Sequence, residues 1–312
     1  MDKFLLRNYD NLFRTFYNRR PMLENVNILR ANIQCEFLLK LADQYDTLAV
    51  VRTYVEHHLL QFQSSLWESV AVLTHWYLHV SCMLRSKVIF KEALIHLVGI
   101  WYIFQEKPQS QFDIPESILD TAQRKVHELE ENVSRVESQL FRLSLTTVQG
   151  EDVTPANDYL GWLVVSLFRQ WLATSIKSQT GPARNSESES GDGRDSDDKN
   201  DIPPNLSICR VFRDIGSKSP SAYLDHHDCE EFLALNSQLY TRKNLADFER
   251  RMTELKFWAR DLVRPLLRNN LELDVAKFND SDIVRQDLTY FTCSTIEDSE
   301  FPWPLEPYIH YN

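Results

Sequence analysis

Four potential metal ligands lie close together in one short segment of the sequence. His226, His227, Cys229 and Glu230 supply imidazole, thiol and carboxylate groups, which are the usual zinc ligands in proteins. A structural zinc site usually needs four ligands at a recognisable spacing. This short segment would supply only part of such a set, and the sequence does not identify the other ligands. Neighbouring residues of a helix also face different directions. A metal-dependent helical enzyme centred on these residues is therefore the alternative hypothesis.

A second histidine pair, His75 and His79, has the spacing that places two side chains on the same face of a helix. Two such histidines are able to share a metal ion. Trp76 and Tyr77 lie between them, and this aromatic setting favours a half-buried helix face. We interpret the pair as structural.

Other catalytic and nucleotide-binding motifs are missing from the sequence. A phosphate-binding loop needs clustered glycines, but the chain has only seven, and the close pair Gly191 and Gly193 lies among acidic residues that repel phosphate. The nucleophile motif Gly-x-Ser-x-Gly does not occur. We therefore predict that the protein is not an enzyme, that it has no catalytic, cofactor-binding or metal-binding residue, and that it uses no cofactor.

Composition indicates a folded protein rather than a disordered one. The 312 residues are 43% hydrophobic and 12% aromatic, which is sufficient for real cores. The net charge of −11 argues against a nucleic-acid partner. The most apolar stretch, Leu160 to Ala173, is interrupted by Arg169 and Gln170, so no membrane association is expected. Five scattered cysteines fit a reducing compartment, and we predict an intracellular protein of the cytoplasm or nucleus.

Helical periodicity dominates the sequence, and it predicts a mainly α fold. The first helix is expected from Lys3 to Asn18, before Pro21. Its predicted apolar face comprises Leu5, Tyr9, Leu12, Phe13, Phe16 and Tyr17. Further apolar repeats follow as far as Phe104, so residues 1–105 are predicted to form a helical bundle.

A long helix is expected after the capping-box pattern of Asp113 and Glu116. Apolar residues then recur in alternating steps of three and four from Leu119 to Leu143, as in a coiled coil. A second repeat of this kind runs from Leu245 to Leu266. We predict that the two repeats pack together within one chain, with a homo-oligomer formed through the first repeat as the alternative.

The remaining sequence completes a four-part organisation. Residues 106–176 hold the long heptad helix and an apolar helix that Thr154 and Pro155 are expected to begin. Residues 177–206 are rich in Ser, Gly, Pro and Asp, which predicts a disordered acidic linker. Residues 207–312 form a C-terminal helical module, in which the segments 271–273 and 290–296 predict a short β-hairpin.

Several sequence runs resemble a known family. The run FLLKLADQYD from Phe37 to Asp46 resembles the helical C-terminal half of a BTB/POZ domain. The run LRSKVIFKEALIHLVG from Leu84 to Gly99 is similar to fungal BTB/POZ-domain proteins of unassigned function. Shorter runs with the same resemblance are TPAN at 154–157, FRQWL at 168–172, YTRKNL at 240–245 and FERRM at 248–252.

The resemblance implies a non-enzymatic protein that binds other proteins or serves as a scaffold. In that family, dimerisation and cullin-type scaffold binding depend on the strands and helices at the front of the domain. We expect that front part to be missing, because Met1 already stands at the helices that close the domain. No binding residue is therefore carried over, and the predicted protein partner stays unidentified. A transcription-associated factor is a third possibility, but the basic DNA-reading element expected of such a protein is not found.

Overall fold

The computed structural model describes residues 3–105, 114–180, 204–275 and 288–304. These residues form α-helices and one short 3-10 helix at Asp298–Glu300. The only β-bridge among them joins Thr146 and Asp152. The predicted mainly α fold is confirmed. The helices are α1 (Lys3–Phe16), α2 (Ile28–Gln44), α3 (Leu48–Leu60), α4 (Ser64–Val72), α5 (Thr74–Leu84), α6 (Lys87–Gly99), α7 (Trp101–Gln105), α8 (Glu116–Arg142), α9 (Tyr159–Thr180), α10 (Pro204–Gly216), α11 (His226–Ala234) and α12 (Arg242–Val263).

Helix starts follow the short polar residues that the sequence offers. Thr241 caps α12 by accepting the Asn244 N–H at 3.2 Å. Asp225 caps α11 within a capping box, since it accepts the N–H groups of His227 and Asp228. The predicted start of α9 at Thr154 and Pro155 is wrong, because Thr154 is held in a turn with Asn157. α9 begins instead at Tyr159.

The chain divides into two compact units. The first unit comprises residues 1–127, 269–288 and 294–312, and the second comprises 128–268 and 289–293. In the first unit α6 is the central helix, and its residues from Glu92 to Gly99 are all buried. α5 and α4 pack on α6, while α2 packs on α1, α3 and α4. A buried polar cluster ties three of these helices together, because the Tyr77 hydroxyl lies 2.9 Å from Asn32 and 3.1 Å from Ser69.

Returning C-terminal segments complete the first unit around α6. The buried carboxylate of Glu92 accepts the backbone N–H groups of Glu272 at 2.7 Å and Leu273 at 3.0 Å. The ring of Phe90 contacts those of Phe301 and Trp303 at centroid distances of 5.5 and 5.3 Å. These contacts explain why the α6 sequence is apolar nearly all round.

The second unit is built on α9, α10 and α12, which pack on one another, with α11 added against α12. Its centre is aromatic, because Phe168, Phe212 and Phe248 from these three helices are fully buried. Arg251 of α12 forms ion pairs with Asp158, which precedes α9, and with Asp247. A Cβ atom at Gly161 would lie 2.6 Å from the Arg251 guanidinium, so glycine allows this close approach.

The predicted seam of α8 is covered by its own chain. Its first residues, including Ala122 and Val126, are buried in the first unit. Val136 and Leu140 are buried in the core of the second unit, and Val133 is partly buried against that core. The repeats of α8 and α12 were predicted to pack on each other. The main helix neighbours of α12 are instead α9, α10 and α11. An intermolecular coiled coil stays a prediction.

Two sequence expectations for the C-terminal third need correction. The predicted hairpin is wrong, because the described residues 271–273 and 290–296 form no strand. Their backbone groups bond to side chains instead. Glu92 accepts hydrogen bonds from the N–H groups at 272 and 273, and Arg213 donates to the Tyr290 carbonyl at 3.0 Å. The ends of the predicted linker are helical, since α9 continues to Thr180 and α10 begins at Pro204. Residues 181–203 of that linker lie outside the described residues.

Candidate functional site

The structure separates the four candidate metal ligands of α11. His226 Nδ1 donates a hydrogen bond to Glu249 of α12, and the ring lies 3.9 Å from Glu230. His227 instead lies 3.3 Å from Glu231 and is largely exposed. The bond to Glu249 favours the protonated imidazole and raises the pKa of His226 above its ordinary value. Both histidines thus contact carboxylates on the exposed side of the helix.

Cys229 lies on the other side of the same helix and is buried in the second core. Its Sγ donates to the Leu224 carbonyl at 3.8 Å. Burial raises the pKa of this thiol to about 11, so the thiolate that binds metals is disfavoured. Over the described ranges, no group of three or more His, Cys, Asp or Glu side chains is arranged to hold a metal ion.

The other histidine pair occupies a half-buried face of α5, as its spacing predicts. His75 and His79 are both partly buried, and Trp76 between them donates to Glu36 of α2 at 3.0 Å. Glu36 is in turn bonded to Lys40, which lowers the pKa of this carboxyl. This face joins two helices of the first unit.

A different surface stands out, and it lies on α1 and α2. The two helices pack on each other, and each leaves large apolar side chains exposed. Phe13 of α1 is 53% exposed and Ile33 of α2 is 51% exposed. We call the following set the α1–α2 face: Leu5, Leu6, Phe13, Phe16, Leu29, Ile33 and Phe37.

Helix α1 turns its polar side inward. Asn8, Asn11 and Thr15 are buried, and Leu12 is the one large apolar side chain of this helix that is buried among the described positions. Asn11 satisfies both ends of its amide on Met22, accepting the backbone N–H at 2.7 Å and donating to the carbonyl at 3.4 Å. The polar side is therefore fixed by hydrogen bonds, and the apolar side stays in solvent.

The exposed stripe on α2 has the regular spacing of one helix face. Leu29, Ile33 and Phe37 are four residues apart, which places them in one row. Tyr45, just past the end of α2, contacts Tyr9 in the middle of α1: their hydroxyls are 3.1 Å apart and their rings meet edge to face. The exposed rows of the two helices thus belong to one packed helix pair.

More than half of the exposed large apolar side chains in the described residues lie between Leu5 and Tyr45. Half-exposed side chains of this size each leave about 100 Å² accessible, so the seven residues of the face expose on the order of 700 Å². The largest apolar patch of a typical monomer is about 300–600 Å². The summed apolar exposure of the α1–α2 face therefore reaches the upper end of what a monomer surface carries.

The sequence pattern predicts the apolar face of α1 but does not predict that this face is exposed to solvent. The periodicity of Leu5, Phe13 and Phe16 reports only that one side is apolar. A signal for the opposite side existed, because Asn8, Asn11 and Thr15 also recur in steps of three and four. Short polar side chains in that pattern are able to bond to a neighbouring backbone and form a buried face.

Two further observations do not concern a single site. In the part of the chain that the structure describes, no helix has both the length and the apolar character needed to cross a membrane. Comparisons with protein-family models, with curated proteins and with solved structures found no match. The resemblance to BTB/POZ-domain proteins accordingly stays a prediction.

Proposed function

We propose that the protein is a non-enzymatic interaction protein whose partner binds the α1–α2 face. The observation that carries the proposal is the inverted burial of α1, where Asn8, Asn11 and Thr15 are covered while Phe13 and Phe16 are exposed. Exposed apolar surface of this kind is unfavourable in water unless another molecule covers it. The resemblance to BTB/POZ-domain proteins, which bind other proteins, points to the same class of function.

The size of the face suits a protein partner. Each side of a standard protein interface contributes about 800 Å², and the α1–α2 face exposes apolar area on the order of 700 Å². Its exposed phenylalanines Phe13 and Phe16 belong to the aromatic residues that are enriched at protein interfaces. Burying this area supplies the main favourable term for association.

Charge around the face selects the type of partner. Residues 3–45 carry seven Lys and Arg against four Asp and Glu, whereas the whole chain has a net charge of −11. Arg19 and Arg20, just after α1, are exposed, and no described carboxylate forms an ion pair with either. A second copy docking through this face would bring like charges together. The expected partner is therefore another protein whose docking segment combines apolar and acidic residues.

Comparative affinity capture tests this proposal. The wild-type chain, Phe13→Ser and Ile33→Ser are used as baits, and bound proteins are identified by mass spectrometry. Val72→Ser is the matched control, because Val72 is 61% exposed on α4 and lies outside the face. Exposed substitutions of this kind change stability by about 0.5 kcal/mol or less, so folding is preserved.

The expected result is a partner held by the wild type and by Val72→Ser and lost from both face variants. Binding of the purified partner should weaken with added salt and with Arg19→Glu, because the basic rim contributes by charge. A partner retained by Phe13→Ser and Ile33→Ser contradicts the proposal. If the only captured protein is a second copy of this chain, the face mediates self-association and the proposal of an acidic partner is wrong.

A further inference from the structure

The second unit contains a cleft that none of the preceding interactions explains. It lies between α12, the start of α11 and the loop after α10, and its volume is about 410 Å³. Pockets of about 300–1,000 Å³ hold small organic ligands. Its lining combines the apolar side chains of Met252 and Phe257 with the hydroxyl groups of Ser217, Ser219 and Thr253.

Three cations line the cleft without a carboxylate partner. Lys256 and Arg260 are four residues apart on α12 and share one face, and Lys218 is exposed in the loop. None of the three forms an ion pair with a carboxylate in residues 114–180 or 204–275. Among the described residues, Lys256 donates to two backbone carbonyls, those of Pro220 at 3.0 Å and of Tyr223.

The acidic groups at the rim are already engaged elsewhere. Asp225 accepts the N–H groups of His227 and Asp228 as the cap of α11, and Glu249 bonds to His226. Lys218, Lys256 and Arg260 therefore outnumber the two carboxylates of the lining, Asp225 and Glu249, and the cleft keeps an excess of positive charge. A cationic cleft in a chain of net charge −11 favours an anionic ligand over a neutral one.

Two buried polar atoms in the cleft lining lack a hydrogen-bond partner among the described residues: the Tyr223 hydroxyl and Arg260 Nε. Tyr223 is only 7% exposed. Its ring is fixed, since it stacks on Trp171 at 4.4 Å with Lys256 on a ring face at 4.6 Å. Burial raises the pKa of Tyr223, so its hydroxyl stays protonated and offers a donor. Native proteins rarely leave such atoms unpaired.

We propose that this cleft binds a small organic anion, whose phosphate or carboxylate group accepts hydrogen bonds from Arg260, Lys256 and the Tyr223 hydroxyl. The apolar part of the ligand lies on Met252 and Phe257. An anion at this position supplies an acceptor for both unpaired donors and balances the excess of cations over carboxylates in the lining. The site belongs to the second unit and is independent of the α1–α2 face.

Isothermal titration calorimetry of the full chain tests the site with four probes: phenyl phosphate, benzoate, inorganic phosphate and neutral benzyl alcohol. Phenyl phosphate, benzoate or both should bind with a Kd below about 1 mM. Inorganic phosphate should bind more weakly because it lacks the apolar part, and benzyl alcohol because it lacks the charge. Phenyl phosphate and benzoate together identify which anionic group is preferred.

Variants assign the binding to the named atoms. Arg260→Gln should weaken the binding of the preferred probe about tenfold or more, and Tyr223→Phe about three- to tenfold. Arg264→Gln is the control, because this exposed arginine at the end of α12 does not line the cleft. Its affinity should stay within about twofold of the wild type.

Tyr223→Phe also gives a readout that a structural role does not produce. Removing an unpaired buried hydroxyl should raise the Tm of the ligand-free chain, by about 2 °C, while anion affinity falls. If Arg260→Gln does not fold, Tyr223→Phe alone tests the proposal, because its Tm and its anion affinity should change in opposite directions. Absence of binding, equal binding of benzyl alcohol or inorganic phosphate, or unchanged affinity in Tyr223→Phe would overturn the proposal.

Discussion

Helices α1 and α12 are both amphipathic, but they differ in which side the fold buries. α12 buries its apolar row, which includes Phe248, Leu255 and Val263, in the core of the second unit. α1 exposes Phe13 and Phe16 and buries a polar row instead. Amphipathic periodicity therefore predicts that a helix forms and where its apolar side lies. Which side becomes covered depends on the surfaces that the rest of the fold presents.

The comparison is sharpest for identical substitutions at the two faces. Phe248→Ala should lower the free energy of unfolding by about 3–5 kcal/mol, because a fully buried ring is lost and a cavity remains. Phe13→Ala should change it by about 0.5 kcal/mol or less, because the ring is half exposed. Urea denaturation of both full-length variants measures the difference. Equal losses would show that the face of α1 is covered in the free chain.

The polar side of α1 offers the second test. Asn11→Ala should cost about 1–2 kcal/mol, since the buried Asn11 amide makes two hydrogen bonds to the backbone of Met22 and both are lost. Asn25→Ala, at an exposed asparagine of the same unit, is the control and should change stability by about 0.5 kcal/mol or less. Thermal unfolding followed by circular dichroism compares the two. A neutral Asn11→Ala would mean that α1 is not anchored by its polar side.

A smaller effect is expected at the start of α12. Thr241→Ala removes the acceptor for the Asn244 N–H and should cost about 1 kcal/mol. Thr241→Ser keeps a hydroxyl at the same position and should stay within about 0.3 kcal/mol of the wild type. Urea midpoints of the two variants provide the measurement. Similar losses in both would remove the cap as the cause.

The smallest expected effect is the pH response of the ion pair between α11 and α12. The Glu249 hydrogen bond raises the pKa of His226 in the folded chain above its ordinary value of 6.5. Its stabilising contribution is therefore fully present below pH 6.5 and is lost as the pH rises through the raised folded pKa. An NMR titration of the His226 ring should give a midpoint above 6.5 that Glu249→Gln lowers. A wild-type midpoint at or below 6.5 contradicts the pairing.

Local signals in the sequence predicted much of the fold. Thr241 and Asp225 identify the starts of α12 and α11. The long helix begins at Glu116, and its predicted cap Asp113 lies outside the described residues. These features depend on residues within one turn of each other, so sequence alone is sufficient. The division of the chain into its four predicted parts stays a prediction.

Long-range packing was beyond the sequence. The predicted strands at 271–273 and 290–296 are replaced by irregular backbone, because Glu92 and Arg213 supply the hydrogen bonds that a hairpin would have made. Neither residue is near these segments in sequence, and no local sequence pattern predicts the contact. The exposure of Phe13 and the cleft around Tyr223 have the same origin, since both depend on distant helices.

Site-specific photo-crosslinking in cells tests the central claim most directly. A photoreactive phenylalanine analogue is placed at Phe13 on the α1–α2 face and, as the matched control, at Val72 on α4. We predict that the Phe13 position forms crosslinks to a different protein through an acidic, apolar segment, and that the Val72 position does not. The same crosslinks from both positions, or crosslinks from Phe13 only to its own chain, would contradict a partner docked on this face.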